Sequence, residues 1–130
     1  MPSTDFQVHD GLLAIQQTSE GERLRIALQG EMDLSNTESP ESIVREALNS
    51  GKNVVVDLTK LEFLDSTGIA MLVAAMREGG ERLSFLPSEH APVRRLFSLT
   101  GLDERMNLAP VAAVAAAPAD SDAEPLMPAA

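Results

Sequence analysis

The feature that most constrains the fold is a pair of strand-like segments joined by a helical pattern. The run Val54-Val55-Val56-Asp57-Leu58 is rich in β-branched residues, which favours a central strand covered on both faces. Residues 82–86 predict another strand. Between them, apolar residues recur at the i, i+3, i+4 and i+7 spacing of an amphipathic helix: Ile69, Leu72, Val73 and Met76. A helix that joins two strands implies parallel pairing, so the sequence predicts an α/β domain.

The N-terminal third predicts an antiparallel pair of strands ahead of this unit. Residues 12–17 (LLAIQQ) form the first apolar run. Leu24, Ile26 and Leu28 then recur at the two-residue period of a half-buried strand. Residues 19–22 between them are polar and turn-like, so the two runs are expected to pair. Residues 1–9 are predicted to be a short tail.

Two more helices and a boundary complete the organisation. A helix is expected at about 38–50, with Gly51 as its C-terminal cap, and another from Pro92 to Gly101. A short strand at 106–108 is predicted to finish a domain that spans residues 10–110. Residues 111–130 are rich in Ala and Pro and carry three acids, which predicts a disordered acidic tail. A short Ala-rich helix over 111–117 is the alternative.

Composition excludes several classes of function. The formal net charge of -10 argues against binding of nucleic acid or an anionic membrane. The chain has no Cys, and its two His lie far apart in sequence, so we expect no metal and no cofactor. The apolar runs are too short to span a bilayer, and the N-terminus lacks a signal-peptide pattern. A cytoplasmic location is therefore expected.

The candidate site is the tetrapeptide Asp65-Ser66-Thr67-Gly68, just before the amphipathic helix. Its side-chain oxygens can cap the free N–H groups of the helix, and an ordinary N-cap is one interpretation. The other is a phosphorylation site, because a hydroxyl at a helix start is exposed and a phosphate there is tolerated by the helix dipole. Gly68 is expected to leave the approach to the hydroxyl open. From the tetrapeptide alone both interpretations stay open.

Four segments in order resemble the STAS domain of bacterial anti-sigma factor antagonists. They are Gly30-Glu31-Met32-Asp33, Val54-Val55-Val56-Asp57-Leu58, Phe63-Leu64-Asp65-Ser66-Thr67-Gly68, and Val93-Arg94-Arg95-Leu96-Phe97 with Thr100-Gly101-Leu102. The resemblance covers about residues 10–108. It implies a STAS-like mixed sheet of four to five strands with helices mainly on one face.

The resemblance also implies a function without catalysis. Ser66 would be phosphorylated by an anti-sigma factor, a serine kinase of the histidine-kinase-like ATPase fold, and a serine phosphatase would restore it. The unphosphorylated form would bind the kinase and so free a sigma factor for transcription, as in stress responses. We expect a monomer or weak dimer. The partner surface is expected to include Glu31, Asp33, Ser35, Asp65, Thr67, Gly68 and Met71.

Three other interpretations compete with this one. A STAS scaffold or transport-accessory subunit that is not phosphorylated is the main alternative. Asp57 at a strand end could suggest the phospho-acceptor of a receiver domain, but the apparent N-terminal hairpin and the absence of a suitably placed Lys argue against it. An aspartic protease needs two Asp turns of tighter spacing than the segment at Asp65. We therefore predict no enzyme.

Overall fold

A six-stranded mixed sheet and four helices make up residues 5–109, the part of the chain that this computed structural model describes. The strands are β1 Phe6–Asp10, β2 Leu13–Glu20, β3 Arg23–Met32, β4 Asn53–Asp57, β5 Leu61–Leu64 and β6 Leu83–Leu86. The helices are α1 Glu38–Asn49, α2 Ser66–Gly79, α3 Ala91–Leu99 and α4 Leu102–Arg105. A short 3₁₀ turn at Gly80–Arg82 joins α2 to β6.

The sheet order is β1-β2-β3-β4-β6, and β5 pairs with the end of β3. Strands β2 and β3 are antiparallel, and β4 and β6 are parallel, so both predicted pairings are confirmed. β3 also runs parallel to β4 and to β5, with an irregularity between Gly30 and Glu31. This break turns the last residues of β3 toward β5, which leads directly into α2.

One core fills the space between the sheet and the helices. Alternate residues of the central strands, such as Ile26, Val54 and Val56, are fully buried in it. Val44 of α1 and Leu72 of α2 pack in the same cluster. The predicted α/β class with a mixed sheet is confirmed, with one strand more than the highest number expected.

Several local predictions at the two ends of the domain were wrong. Residues 6–9 of the predicted tail 1–9 instead form most of β1, which pairs antiparallel with β2. No strand forms at 106–108; instead Leu108 makes a single parallel bridge to Phe85, and α4 precedes it. The predicted tail at 111–130 and its alternative helix lie outside the described residues. Within residues 5–109, no helix is long and apolar enough to cross a bilayer.

Candidate functional site

Asp65 is the N-cap of α2 and satisfies the first free N–H groups of that helix. Its extended backbone places the carboxylate so that Oδ1 accepts hydrogen bonds from Thr67 N at 3.0 Å and Gly68 N at 3.2 Å. The Thr67 hydroxyl donates to the same oxygen. The predicted capping role of Asp65 is therefore confirmed, and it belongs to the carboxylate and not to Ser66.

The same carboxylate also holds the loop that follows β3. Its other oxygen, Oδ2, accepts a hydrogen bond from Leu34 N at 3.2 Å. Asp65 N in turn donates to Met32 O at 3.3 Å. Asp65 thus connects two segments that are far apart in sequence, the start of α2 and the loop 31–35, which carries Glu31, Asp33 and Ser35 of the expected partner surface.

The loop itself is held by short-range polar contacts. Asp33 Oδ1 accepts from Ser35 N at 2.9 Å and from the Ser35 hydroxyl at 2.6 Å. Asn36, which is buried, accepts from Asp33 N at 2.9 Å and donates to Glu31 O at 3.1 Å and to Asp10 O at 3.2 Å. These bonds fix the loop against the β1–β2 turn, so its acidic side chains are presented from a defined backbone.

Hydrogen bonding lowers the pKa of the Asp65 carboxyl below its ordinary value. The Thr67 hydroxyl contributes most, and the N–H groups of Gly68, Leu34 and Thr67 add to it, while partial burial acts in the opposite direction. The site therefore favours the carboxylate form. Since a depressed pKa in the folded state stabilises the fold only while the group is ionised, this contribution is present above about pH 4 and is lost as the pH falls through the lowered pKa.

Replacing Asp65 by Asn tests this linkage. We expect Asp65→Asn to be less stable than wild type at pH 7, because a neutral amide is a weaker acceptor for the N–H groups that cap α2. The deficit should shrink as the pH falls below about 4, because the unfolded wild-type chain then takes up a proton at Asp65, and it should be smallest once the folded carboxyl is protonated at its lowered pKa. Urea midpoints measured at pH 7, 5 and 3 report the difference. A deficit of the same size at pH 7 and pH 3 would contradict an electrostatic role for the cap.

Ser66 is the exposed hydroxyl of this site. It is the first residue of α2, and its side chain makes no hydrogen bond within the described residues 5–109. Thr67, by contrast, is half-buried and its hydroxyl is committed to Asp65. The two neighbouring hydroxyls are therefore different in chemical availability, and only that of Ser66 is free to meet an incoming reagent.

The structure brings most of the predicted surface together but contradicts two members of it. Glu31, Asp33, Ser35, Asp65 and Thr67 lie on the two segments that the Leu34–Asp65 hydrogen bond joins, and all are half-buried or exposed. Gly68 and Met71, in contrast, are buried. These two residues are therefore not exposed to a partner in the described fold.

Packing explains both corrections. A Cβ at Gly68 would lie 3.1 Å from Leu64 Cβ and 3.1 Å from Met32 Cε, so this glycine lets α2 approach the sheet and does not open a path to Ser66. Met71 lies with Val44 and Ala75 where α2 faces α1, and only 5% of it is exposed. The helix is covered on two sides, by the sheet and by α1.

The site also contains groups that the sequence did not indicate. The N–H of Leu34 and the side chain of Asn36 hold the loop 31–35 in place. Leu34 itself is 76% exposed and lies beside Asp65. Because every residue except Pro has a backbone N–H, the residue types alone do not show which N–H makes such a bond. Phe63, 48% exposed on β5 and paired in register with Glu31, adds a second apolar side chain at this end of the sheet.

Asp57, the acid that could suggest a receiver domain, has a structural role. Its carboxylate accepts from Thr59 N at 2.9 Å and from the Thr59 hydroxyl at 2.7 Å, and it forms an ion pair with Arg25. Asp57 is 6% exposed. Among residues 5–109, no group of three or more His, Cys, Asp or Glu side chains is arranged to hold a metal ion.

Comparison with known proteins decides the family. The model of the family described as "Mlab, STAS domain" matches residues 15–110, which is most of the chain and includes the whole site. The chain belongs to the STAS domain family.

Relatives of this STAS domain carry names of regulatory antagonists. The anti-sigma-F factor antagonist RsfB of Mycobacterium tuberculosis is 29% identical over 64% of this chain and 70% of its own length. An anti-sigma factor antagonist from Mycobacterium paratuberculosis shares the fold, with a TM-score of 0.65, 23% identity, and coverage of 85% of this chain and 89% of that one. These names describe binding regulators and not enzymes, in agreement with the prediction.

A third relative has been solved in a modified state. The Bacillus cell fate determinant SpoIIAA in its phosphorylated form is 25% identical, with a TM-score of 0.56 over 74% of this chain and 91% of that one. The predicted STAS-like fold and family are thus confirmed by both sequence and structure.

Proposed function

We propose that this STAS domain is an anti-sigma factor antagonist switched by phosphorylation of Ser66. Unphosphorylated, it would bind an anti-sigma factor that is also its serine kinase. Phosphorylated, it would be released until a serine phosphatase removes the phosphate. In this proposal the domain acts in the cytoplasm as a monomer or weak dimer.

The observation that best supports the proposal is that Asp65 and Ser66 have different roles at the start of α2. Because the carboxylate already caps α2, the serine hydroxyl is not needed for the fold and stays exposed. The loop that holds Glu31 and Asp33 is tied to the same carboxylate. A kinase that reaches Ser66 would therefore also meet this loop.

The site explains how a phosphate could act without refolding the domain. Thr67 N and Gly68 N, which would be free to bind a phosphate if Asp65 were absent, already donate to Asp65. The added charge of about -1.5 to -2 would therefore project from the surface beside Asp65 and the acidic loop. In the transfer itself, Ser66 Oγ would form a bond to the γ-phosphorus of ATP as the bond to the ADP oxygen breaks, and the hydroxyl proton would pass to a base of the kinase.

Names of the relatives support the class of partner. RsfB is called an antagonist of an anti-sigma factor, and SpoIIAA is titled in a phosphorylated form. The matching family description names Mlab and not an antagonist, so a scaffold or transport-accessory subunit is the second candidate. A protein of that kind would not be phosphorylated by an anti-sigma factor.

Phosphosite mapping tests the proposal. The wild type, Ser66→Ala and Thr67→Ala would each be incubated with ATP and a candidate anti-sigma factor, preferably one encoded by a neighbouring gene, and analysed by mass spectrometry. We expect about one phosphate per wild-type chain, located on Ser66, and none on Ser66→Ala. Thr67→Ala should still be modified, because the Thr67 hydroxyl is committed to the cap. Phosphate on another residue of Ser66→Ala would refute the site, and failure of all such kinases to bind or modify the wild type would favour the scaffold.

A further inference from the structure

A groove of about 680 Å³ lies at the end of α2 opposite to Ser66. Its apolar lining comes from Val73 and Met76 of α2 and from Leu83 of β6. Arg77 is eleven residues after Ser66, which places it about 16 Å along the helix at 1.5 Å per residue. The groove is therefore separate from the proposed phosphorylation site and its function does not depend on that proposal.

Two arginines give the groove a charge unlike that of the chain as a whole. Arg77 and Arg105 both line it and are exposed, and neither forms an ion pair within residues 5–109. Glu81 is the one carboxylate in the lining. In a chain of net charge -10, this surface of apolar and cationic groups is suited to a segment that combines acids with apolar side chains.

The chain leaves the described part of the structure beside this groove. Asn107, which lines it, donates from its side-chain amide to Leu83 O at 3.1 Å. Ala109 N then donates to Phe85 O at 2.8 Å, which holds the segment along the outer edge of β6. The next acidic residues along the sequence, Asp120, Asp122 and Glu124, are followed by Leu126 and Met127.

We propose that residues 120–127 of this chain bind in the groove. The three acids would face Arg77 and Arg105, and Leu126 and Met127 would contact the apolar lining. The eleven residues from Ala109 to Asp120 can span up to about 36 Å, which exceeds the distance needed to return to a groove lined by Asn107. A tether of this kind gives an effective concentration on the order of millimolar, so even a weak contact is populated.

A single spin label tests the contact in the full-length chain. Because the sequence has no Cys, Ala119→Cys can carry one nitroxide next to the proposed segment. We expect the label to broaden the amide NMR signals of Met76, Arg77 and Leu83 much more than that of Val8, on the strand at the far edge of the sheet. Most of this broadening should be lost in about 1 M salt, where the screening length falls to about 3 Å.

Charge-changing substitutions on either side test whether the contact between residues 120–127 and the groove depends on charge. Arg77→Glu with Arg105→Glu should abolish the selective broadening, and so should Asp120→Asn, Asp122→Asn and Glu124→Gln together, which leave residues 5–109 unaltered. Lys60→Glu with Arg95→Glu makes the same charge change at exposed positions outside the groove lining and should have no effect. Weak, unselective broadening over the whole surface would overturn the proposal. Selective broadening between spin-labelled and separately ¹⁵N-labelled chains would overturn it in favour of a contact between two copies.

Discussion

The variant Ser66→Asp is expected to bind the anti-sigma factor about a hundredfold more weakly than wild type, a loss of about 3 kcal/mol. The substitution places a fixed negative charge beside Asp65 and near the acidic loop, where the proposed contact with the kinase occurs. A charge that is desolvated at an interface without a cation of the partner to pair with it costs several kcal/mol of binding free energy. Isothermal titration calorimetry at low salt measures the change directly.

An isosteric neutral variant separates charge from size. Ser66→Asn has nearly the same shape as Ser66→Asp, so it should bind within about threefold of wild type if charge is the cause. Ser42→Asp, at an exposed position of α1, controls for a general effect of added negative charge. All three should unfold near the wild-type temperature, because both positions are exposed and the acid in Ser66→Asp lies in the first turn of α2, where the helix dipole favours it. Equal losses for Ser66→Asn and Ser66→Asp would show that shape, and not charge, decides binding.

Residue patterns predicted helices and strands correctly where the spacing of apolar residues alone marks the buried face. The spacing of Ile69, Leu72 and Met76 located α2, and the run at 54–58 located β4. Asp65 before that helix identified the cap because an acid there has few other uses. The four ordered segments then identified the family, which the tetrapeptide alone did not.

Patterns failed where packing on a second face decides exposure. Met71 is off the main apolar stripe of α2, so a single-face model left it exposed, but α1 covers it. Gly68 carries no side chain, and only the positions of Leu64 and Met32 reveal that it is a packing residue. β1 was missed because Phe6 and Val8 remain 40% and 38% exposed on an edge strand, which gives a weak signal in a five-residue segment.

Replacing Gly30 by Ala is expected to destabilise the domain by about 4 kcal/mol or more, among the largest effects of a single substitution. Gly30 has φ +105°, a conformation that L residues rarely adopt. A Cβ there would also lie 2.1 Å from Leu12 O, which is backbone and cannot move as a side chain can. That carbonyl accepts from Glu31 N at 3.0 Å, so relief of the overlap would break the bond that ends the β2–β3 pairing.

Gly51 is the matched control because it also has a positive φ but lacks the overlap. Its φ is +88°, and nothing lies within 4 Å of the position that a Cβ would occupy. Gly51→Ala should therefore cost only the conformational strain, about 1–2 kcal/mol. Urea unfolding of both variants gives the two values. Equal losses would show that the strands adjust freely around Gly30, contrary to the argument from overlap.

Gly30 also determines where the candidate site lies. Its N–H donates to Lys60 O at 3.2 Å, and the irregularity between Gly30 and Glu31 turns the end of β3 toward β5. The loop that follows is held to Asp65 by the hydrogen bond from Leu34 N. At a temperature where Gly30→Ala is still folded, we therefore expect weaker partner binding than for Gly51→Ala, because the loop with Glu31 and Asp33 would be displaced from Ser66. If folded Gly30→Ala binds the partner as well as wild type does, the loop is not part of the partner surface, and the contact is made around Ser66 without it.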